Sequence, residues 1–368
     1  MMPISNNQMN IVVRAIDQNN CLILHFLAGQ VVIMDLWKEK ASGPLHIIHV
    51  GYGIGSFLVP QILAPFISEK LPTKDTMLDN GCADSISNLS NTINITDDTS
   101  KPSSVPPNNL QIGFWIVSAM VLGIAGIWLG YFLFDKQKYV HGDDKDKKHT
   151  TVREYFNPAN CAPGNPTFAV LMHVLIFVWT YSATALERIY GKYLFSYVRE
   201  EACFSKQEAT NLLTAFWICG ATGRFLGFII SNFVPMRILV FVEGLGNLAC
   251  ALIFFILEPQ EWLLWICVCA SSIFIGPCVP SGLALANRYM SLTATSVAVV
   301  TIGAGISELS ALPAVGSTID STGISSMISF TLGFAVVSAT LPFVMQSLVC
   351  GKVDRFEQEQ SGNNNDMQ

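Results

Sequence analysis

The sequence predicts an all-α membrane protein with about nine transmembrane helices. Three observations carry that expectation. Hydrophobic residues make up 51% of the 368 residues and charged residues 13%, about half the charged share of soluble domains. The apolar residues fall into long runs, and a helix needs about 20 of them to cross a bilayer. Lys and Arg concentrate in the connections on alternate sides of those runs, as the positive-inside rule requires.

The runs lie near 18–36, 44–68, 111–134, 167–190, 208–231, 238–257, 262–284, 292–316 and 326–350. The first, NCLILHFLAGQVVIMDLW, is the weakest, because it carries His25, Gln30 and Asp35. The second opens on His46 and His49 and reaches Pro60 and Gln61; the third is apolar throughout. A connection at 135–166 follows, with six Lys/Arg, and is expected in the cytoplasm. The fourth run ends near Glu187 and Arg188, the fifth holds Arg224, and the sixth holds Glu243. The seventh is interrupted by Gly276-Pro277 and Pro280-Ser281-Gly282, breaks that free carbonyls and permit bending. The eighth contains GAGISELSALPAVG, with Glu308 deep inside it, and the ninth is again apolar.

Counting spans from the 135–166 loop puts Lys38, Lys40, Arg237, Arg288, Lys352 and Arg355 on its side of the membrane. The tail, 351–368, is then cytoplasmic. The opposite side receives the polar loop 69–110, which contains two glycosylation sequons at Asn88 and Asn94. Cys82 and Cys203 fall on that side too, where a disulfide is permitted. The amino terminus is expected outside, yet residues 1–20 contain no signal-peptide core. An odd number of leading helices is therefore expected to be missing. The charged loop divides the chain into a partial bundle of three spans (1–134) and a bundle of six (167–350).

Several function classes are excluded. There is no nucleotide-binding loop, nucleophile elbow or metal-ligand spacing, and no basic face for nucleic acid. Most of the ten cysteines sit in apolar runs, where they act as small hydrophobes. No enzyme chemistry and no cofactor are expected.

IHVGYGIGSFLVPQILAPF (48–66), ERIYGKYLFSYV (187–198), LLTAFWICGATGRFLGFIIS (212–231) and TIGAGISELSALPAVGSTID (301–320) resemble one family in order and spacing. It is the group of sodium-dependent glucose transporter 1 and major facilitator domain-containing protein 4, distant relatives of bacterial fucose permease. The likeness rests on His49, Gly55 and Pro60, on Phe216, Trp217, Gly223 and Arg224, and on Gly303, Ala304, Gly305 and Glu308. Asp17 to Asn20 resembles an Asp-x-x-x-Asn element of the family's fourth helix, without its glycines and with extra residues before Trp37. The family's first three helices have no counterpart. The resemblance implies the major facilitator superfamily fold, holding here its fourth to twelfth helices. It implies a multi-pass plasma-membrane transporter of a hexose such as glucose, coupled to Na⁺ or H⁺ and working by alternating access. A transport-inactive isoform, an incomplete gene product, or a receptor or scaffold on the same fold are the alternatives.

Charged and polar groups inside the bilayer usually face a cavity or a partner. Glu308 is a candidate ion-coupling or sugar-binding acid, or else a clamp to Arg188. Glu187, Tyr190 and Tyr193 are candidates for a sugar-binding wall, acid for hydroxyls and ring for a pyranose; the alternative is an interfacial aromatic belt. Arg224 and Glu243 are expected to form a buried pair that acts as a gate. His49 and Gln61 are candidate sugar ligands or interhelical hydrogen-bond partners, and His46 favours the latter. His173 is expected to be a satisfied core histidine. By resemblance, Trp217 and Asn20 join the sugar-binding set and Asp17 the ion-coupling set.

Overall fold

A computed structural model describes residues 40–63, 110–134, 165–257, 260–352 and 354–356, with positions 30, 33, 34, 36, 37, 66, 161 and 162 between them. These residues form eight helices: α1 (Ser42–Leu63), α2 (Leu110–Phe134), α3 (Pro166–Glu200), α4 (Lys206–Ile230), α5 (Met236–Ile256), α6 (Glu261–Asn287), α7 (Ala294–Thr322) and α8 (Ser326–Val349). Six of them, α3 to α8, are long and apolar enough to cross a membrane. In α2 the apolar stretch Gln111–Ile127 is shorter. The nine expected spans thus reduce to six that meet this measure among the described residues. Most of the first expected span, at 18–36, lies outside them, as do Asp17, Asn20, Asn88 and Asn94.

Local chemistry sets several helix ends. Asn165 caps α3: its side-chain oxygen accepts from the Phe168 N–H at 3.1 Å, and Pro166 supplies a first residue with no N–H to satisfy. Ser205 and Glu208 close α4 with a reciprocal capping box. The turns between consecutive helices from α3 to α8 are short, so neighbours run antiparallel. The largest departure from expectation is α3. Its run was expected to end at 190, but the helix continues through Tyr193 and Tyr197 to Glu200. At 1.5 Å per residue, its 35 residues span about 50 Å, longer than the hydrocarbon core.

α3 to α8 pack as one bundle. α6 touches α3, α4 and α5; α3 also packs on α4, α7 and α8, and α8 on α5. α1 lies against this bundle, on α4 and α6, and carries α2 on its other side. Two apolar clusters fill the interior. The first gathers the start of α3 (Met172, Ile176, Trp179), the start of α5 and the ends of α6 and α8. The second gathers the end of α3 (Tyr190, Leu194, Tyr197), the starts of α4 and α6, and the end of α5. Between them run buried polar groups: Ser182, Arg224, Glu243, Asn247, Ser271, Ser281 and Ser338. The outside is apolar, with Phe233, Trp262, Ile256 and Leu309 exposed. Such an exterior suits lipid, and the polar groups that a soluble protein would display are turned inward.

Glycines set the closest helix approaches. A Cβ on Gly223 of α4 would lie 2.2 Å from the Ile273 carbonyl oxygen of α6. That carbonyl is four residues before Pro277, which has no N–H to return to it. The break in α6 and the glycine in α4 therefore meet. At the α3-start end, the Arg355 N–H donates to the Arg288 carbonyl at 2.8 Å and Arg288 pairs with Asp354 at 3.1 Å, tying the chain after α8 to the end of α6.

Candidate functional site

The densest group of charge sits where α1, α3, α4 and α7 converge. Arg224 Nη2 donates to Glu187 Oε1 at 2.6 Å, with side-chain exposures of 3% and 12%. At that burial water screens little, and each charge depends on the other. The expected Arg224–Glu243 pair is not made. Two features explain the difference. α3 runs ten residues past its expected end, which moves Glu187 from the outer end of its helix to the middle. Glu243 meanwhile is held elsewhere: Ser281 Oγ lies 2.6 Å from its Oε1.

Arg188, next to Glu187, faces a different partner. Its Nε is 2.7 Å from Glu308 Oε1, with exposures of 34% and 45%. The N–H is not directed at that oxygen, so charge rather than a directed hydrogen bond holds the pair. The geometry therefore includes the clamp to Arg188 expected as one role for Glu308. The small residues around Glu308 do not form the continuous seam their spacing suggests. Gly303 meets the Phe177 carbonyl, but a Cβ on Gly305 would meet nothing within 4 Å. Ser310 instead shares a 2.9 Å hydrogen bond with Tyr181.

Tyr52 of α1 lies beneath both arginines. The Arg188 guanidinium is 5.3 Å from its ring centroid and that of Arg224 5.4 Å. An aromatic face attracts a cation, so one ring joins the two ion pairs across the α1–bundle boundary. Trp217 meets the same ring edge-on at 6.4 Å. Tyr52 was not singled out in the sequence. Its spacing was the available signal, since His46, His49 and Tyr52 recur every third residue on one helix face.

The other expected sugar ligands separate into two groups. Gln61 Nε2 donates to Thr214 Oγ1, and both lie on an exposed stretch between α1 and α4. His49 is buried, with its Nε2 3.4 Å from Gln30 Nε2. Trp217 is buried against Gly191, whose missing side chain makes room for it. Tyr193 donates from its hydroxyl to the Leu312 carbonyl at 2.9 Å, joining α3 to α7. Tyr190 is not on a wall. It is 1% exposed and packs between Phe216 and Phe254 in the second apolar cluster. The extension of α3 again explains this, because it surrounds Tyr190 with α4 and α5 instead of an interface.

A second polar chain links α1 to α5 and α6. His46 Nδ1 is 2.7 Å from the Ser42 carbonyl oxygen, and its Nε2 is 3.1 Å from Ser281 Oγ, which in turn reaches Glu243. His46, Ser281 and Glu243 are all buried. His173 is a satisfied histidine, bonded to the Ala169 carbonyl at 2.7 Å and to Ser296 Oγ at 2.9 Å. Cys203 is disulfide-bonded; Cys82 lies outside the described residues. No group of three metal-binding side chains occurs among the described residues.

An apolar helical exterior around a buried charged layer defines a multi-pass membrane protein. Comparison with known proteins then gives the lineage. No family model matches the chain. It is 23% identical to sodium-dependent glucose transporter 1A of Mus musculus over 343 residues, 90% of this chain and 74% of that protein. It is 22% identical to sodium-dependent glucose transporter 1 of Homo sapiens over 340 residues, 90% of this chain and 60% of that one. Against major facilitator superfamily domain-containing protein 4A of Mus musculus it is 21% identical over 317 residues, 75% of this chain and 62% of that one. The chain is a distant homologue of these major facilitator proteins, and the match spans part of their length.

Proposed function

We propose that the chain is a secondary transporter of a hexose such as glucose, coupled to Na⁺ or H⁺ and working by alternating access in the plasma membrane. The observation that carries this is the half-exposed Arg188–Glu308 pair beside the buried Arg224–Glu187 pair. Charge in the middle of an apolar bundle needs a function or a partner. Here one pair is sealed and structural, and the other remains accessible. Arg188, Glu308 and the exposed Tyr181–Ser310 and Gln61–Thr214 contacts supply acid, cation, hydroxyl and amide groups. A neutral polyol needs that mixture of donors and acceptors. Glu308 is the proposed coupling acid, since a cation that displaces Arg188 from it changes the balance between two states. Names of the distant homologues favour a sugar as substrate. The proposed orientation places 135–166 and the tail in the cytoplasm and glycans on Asn88 and Asn94 outside.

The test is uptake of labelled glucose by proteoliposomes containing the purified full chain, with Na⁺ exchanged for choline and with an imposed pH gradient. Uptake that one of these gradients drives is the expected outcome. Glu308→Gln should abolish gradient-driven uptake and leave the folded yield unchanged. Absence of uptake by well-folded protein refutes transport, and retained sugar binding in that case favours a receptor.

A further inference from the structure

His46, Ser281 and Glu243 form an unbranched hydrogen-bonded chain across α1, α6 and α5, and its hydrogens can be counted. The chain begins at the Ser42 carbonyl oxygen, 2.7 Å from His46 Nδ1. A carbonyl accepts and never donates, so Nδ1 carries a hydrogen. Nε2 then meets Ser281 Oγ at 3.1 Å, and Oγ meets Glu243 Oε1 at 2.6 Å. The serine brings one hydrogen to these two contacts. With neutral His46 and ionised Glu243, one contact would set lone pair against lone pair. One further proton completes the chain, in either of two places. On Glu243, the acid O–H donates to Ser281, whose hydroxyl donates to Nε2. On His46, the Nε2–H donates to Ser281, whose hydroxyl donates to the carboxylate. Both arrangements hold the same number of protons and carry no net charge.

The surroundings favour the occupied state. His46 and Ser281 are 0% exposed and Glu243 2%. Glu243 Oε2 is buried without a hydrogen-bond partner, which is costly for a carboxylate carrying full charge. The groups facing the chain are Arg224 of α4, His49 of α1, and Cys278 of α6 beside Glu243. Arg224 is committed to Glu187 of α3. α2 and α8, which pack on α1 and α5, carry no charged residue. The slot is shaped for the imidazole: a Cβ on Gly227 of α4 would lie 2.5 Å from His46 Cδ2.

We propose that His46, Ser281 and Glu243 form a single-proton site that docks α1 onto α5 and α6 while occupied and releases α1 when emptied. The step breaks one O–H or N–H bond, and the proton passes to water. Ser281 and Glu243 stay together in the six-helix bundle, and His46 departs with α1. The significance for alternating access rests on the proposed transport function; the existence of the site does not.

The test uses the purified full chain in lipid nanodiscs without sugar. Infrared difference spectra at neutral pH compare wild type with Glu243→Gln and with His46→Asn. The expected result is a protonated-carboxyl band that Glu243→Gln removes, or an imidazolium band that His46→Asn removes. Ionised Glu243 beside neutral His46 overturns the site. If a variant fails to fold, solid-state magnetic resonance on isotope-labelled wild type decides the same point. Spin labels at the exposed Ile47 of α1 and Phe343 of α8 read the docking. Their separation should lengthen in wild type as pH rises and stay fixed in Glu243→Gln, whose amide N–H takes the place of the acid O–H. A wild-type distance that ignores pH overturns the release of α1. Neither measurement involves uptake, so failure of this site and failure of transport are told apart.

Discussion

Arg224 and Glu187 are buried together, so each is harmful to lose alone. Removing one partner strands the other charge in a site that water does not reach. The expected destabilisation for Arg224→Met or Glu187→Leu is about 3–5 kcal/mol, read as a lower unfolding midpoint in detergent. The double variant replaces both charges with apolar groups and should recover most of that loss. An additive double variant would mean that the two charges are not coupled. Arg188 and Glu308 predict the opposite pattern. At 34% and 45% side-chain exposure the pair is partly solvated, although Arg188 Nε itself is covered, and Glu308→Gln should shift stability by less than about 1 kcal/mol. A defect in coupled uptake at that variant could then be assigned to function and not to folding. Sequence spacing made the Arg188–Glu308 partnership legible, because both residues fall at one depth when counted from the same side. It did not reveal Arg224–Glu187. That pair depends on the length of α3: Gly191 stands just where a helix ending at 190 would place its terminal glycine, yet the helix runs through it to Glu200.

At the scale of elements, helix–helix separation is set by backbone approach. Gly223 presses on the Ile273 carbonyl at a distance that leaves no room for a methyl group. Gly223→Ala should force α4 from α6 and cost about 1–3 kcal/mol. Gly305 lies in the same kind of sequence but faces open space. Gly305→Ala should be neutral or stabilise α7 by up to about 1 kcal/mol, since alanine restricts the unfolded chain more than glycine. Thermal unfolding of the two variants side by side checks the contrast; equal losses would mean that the α4–α6 contact is not a close one. The glycine patterns look alike in sequence. What separates them is a carbonyl four residues before Pro277 on another helix, and that is information no local motif contains. Helix positions themselves were legible. The apolar runs from 208 onward match α4 to α8 to within two residues at their starts, because each follows a short connection at which the apolar run breaks.

At the scale of the molecule, α3 to α8 hold nearly everything needed to fold without α1. Both apolar clusters draw their principal members from these six helices, and the Arg224–Glu187 pair lies wholly within them. α1 adds Tyr52 over the two arginines, His46 in its slot beside Gly227, and Leu45 in the first cluster. The basic loop at 135–166 was expected to mark a domain boundary, and this division of contacts gives that expectation a direct test. A fragment of residues 155–368, which retains Cys161 and the Ser291 N–H bond to its carbonyl, should insert, show a fully helical circular dichroism spectrum and unfold cooperatively. Its midpoint should fall below that of the full chain, because the arginines lose their aromatic face and Ser281 loses His46. Co-expression with residues 1–154 as a separate polypeptide should raise the midpoint again. His46→Ala in that second polypeptide should weaken the recovery more than Gln61→Ala does, since Gln61 bonds at an exposed position and His46 at a buried one. A fragment that aggregates even beside its complement would show instead that the six helices need a covalent α1 to close, and that the loop joins two parts of one folding unit.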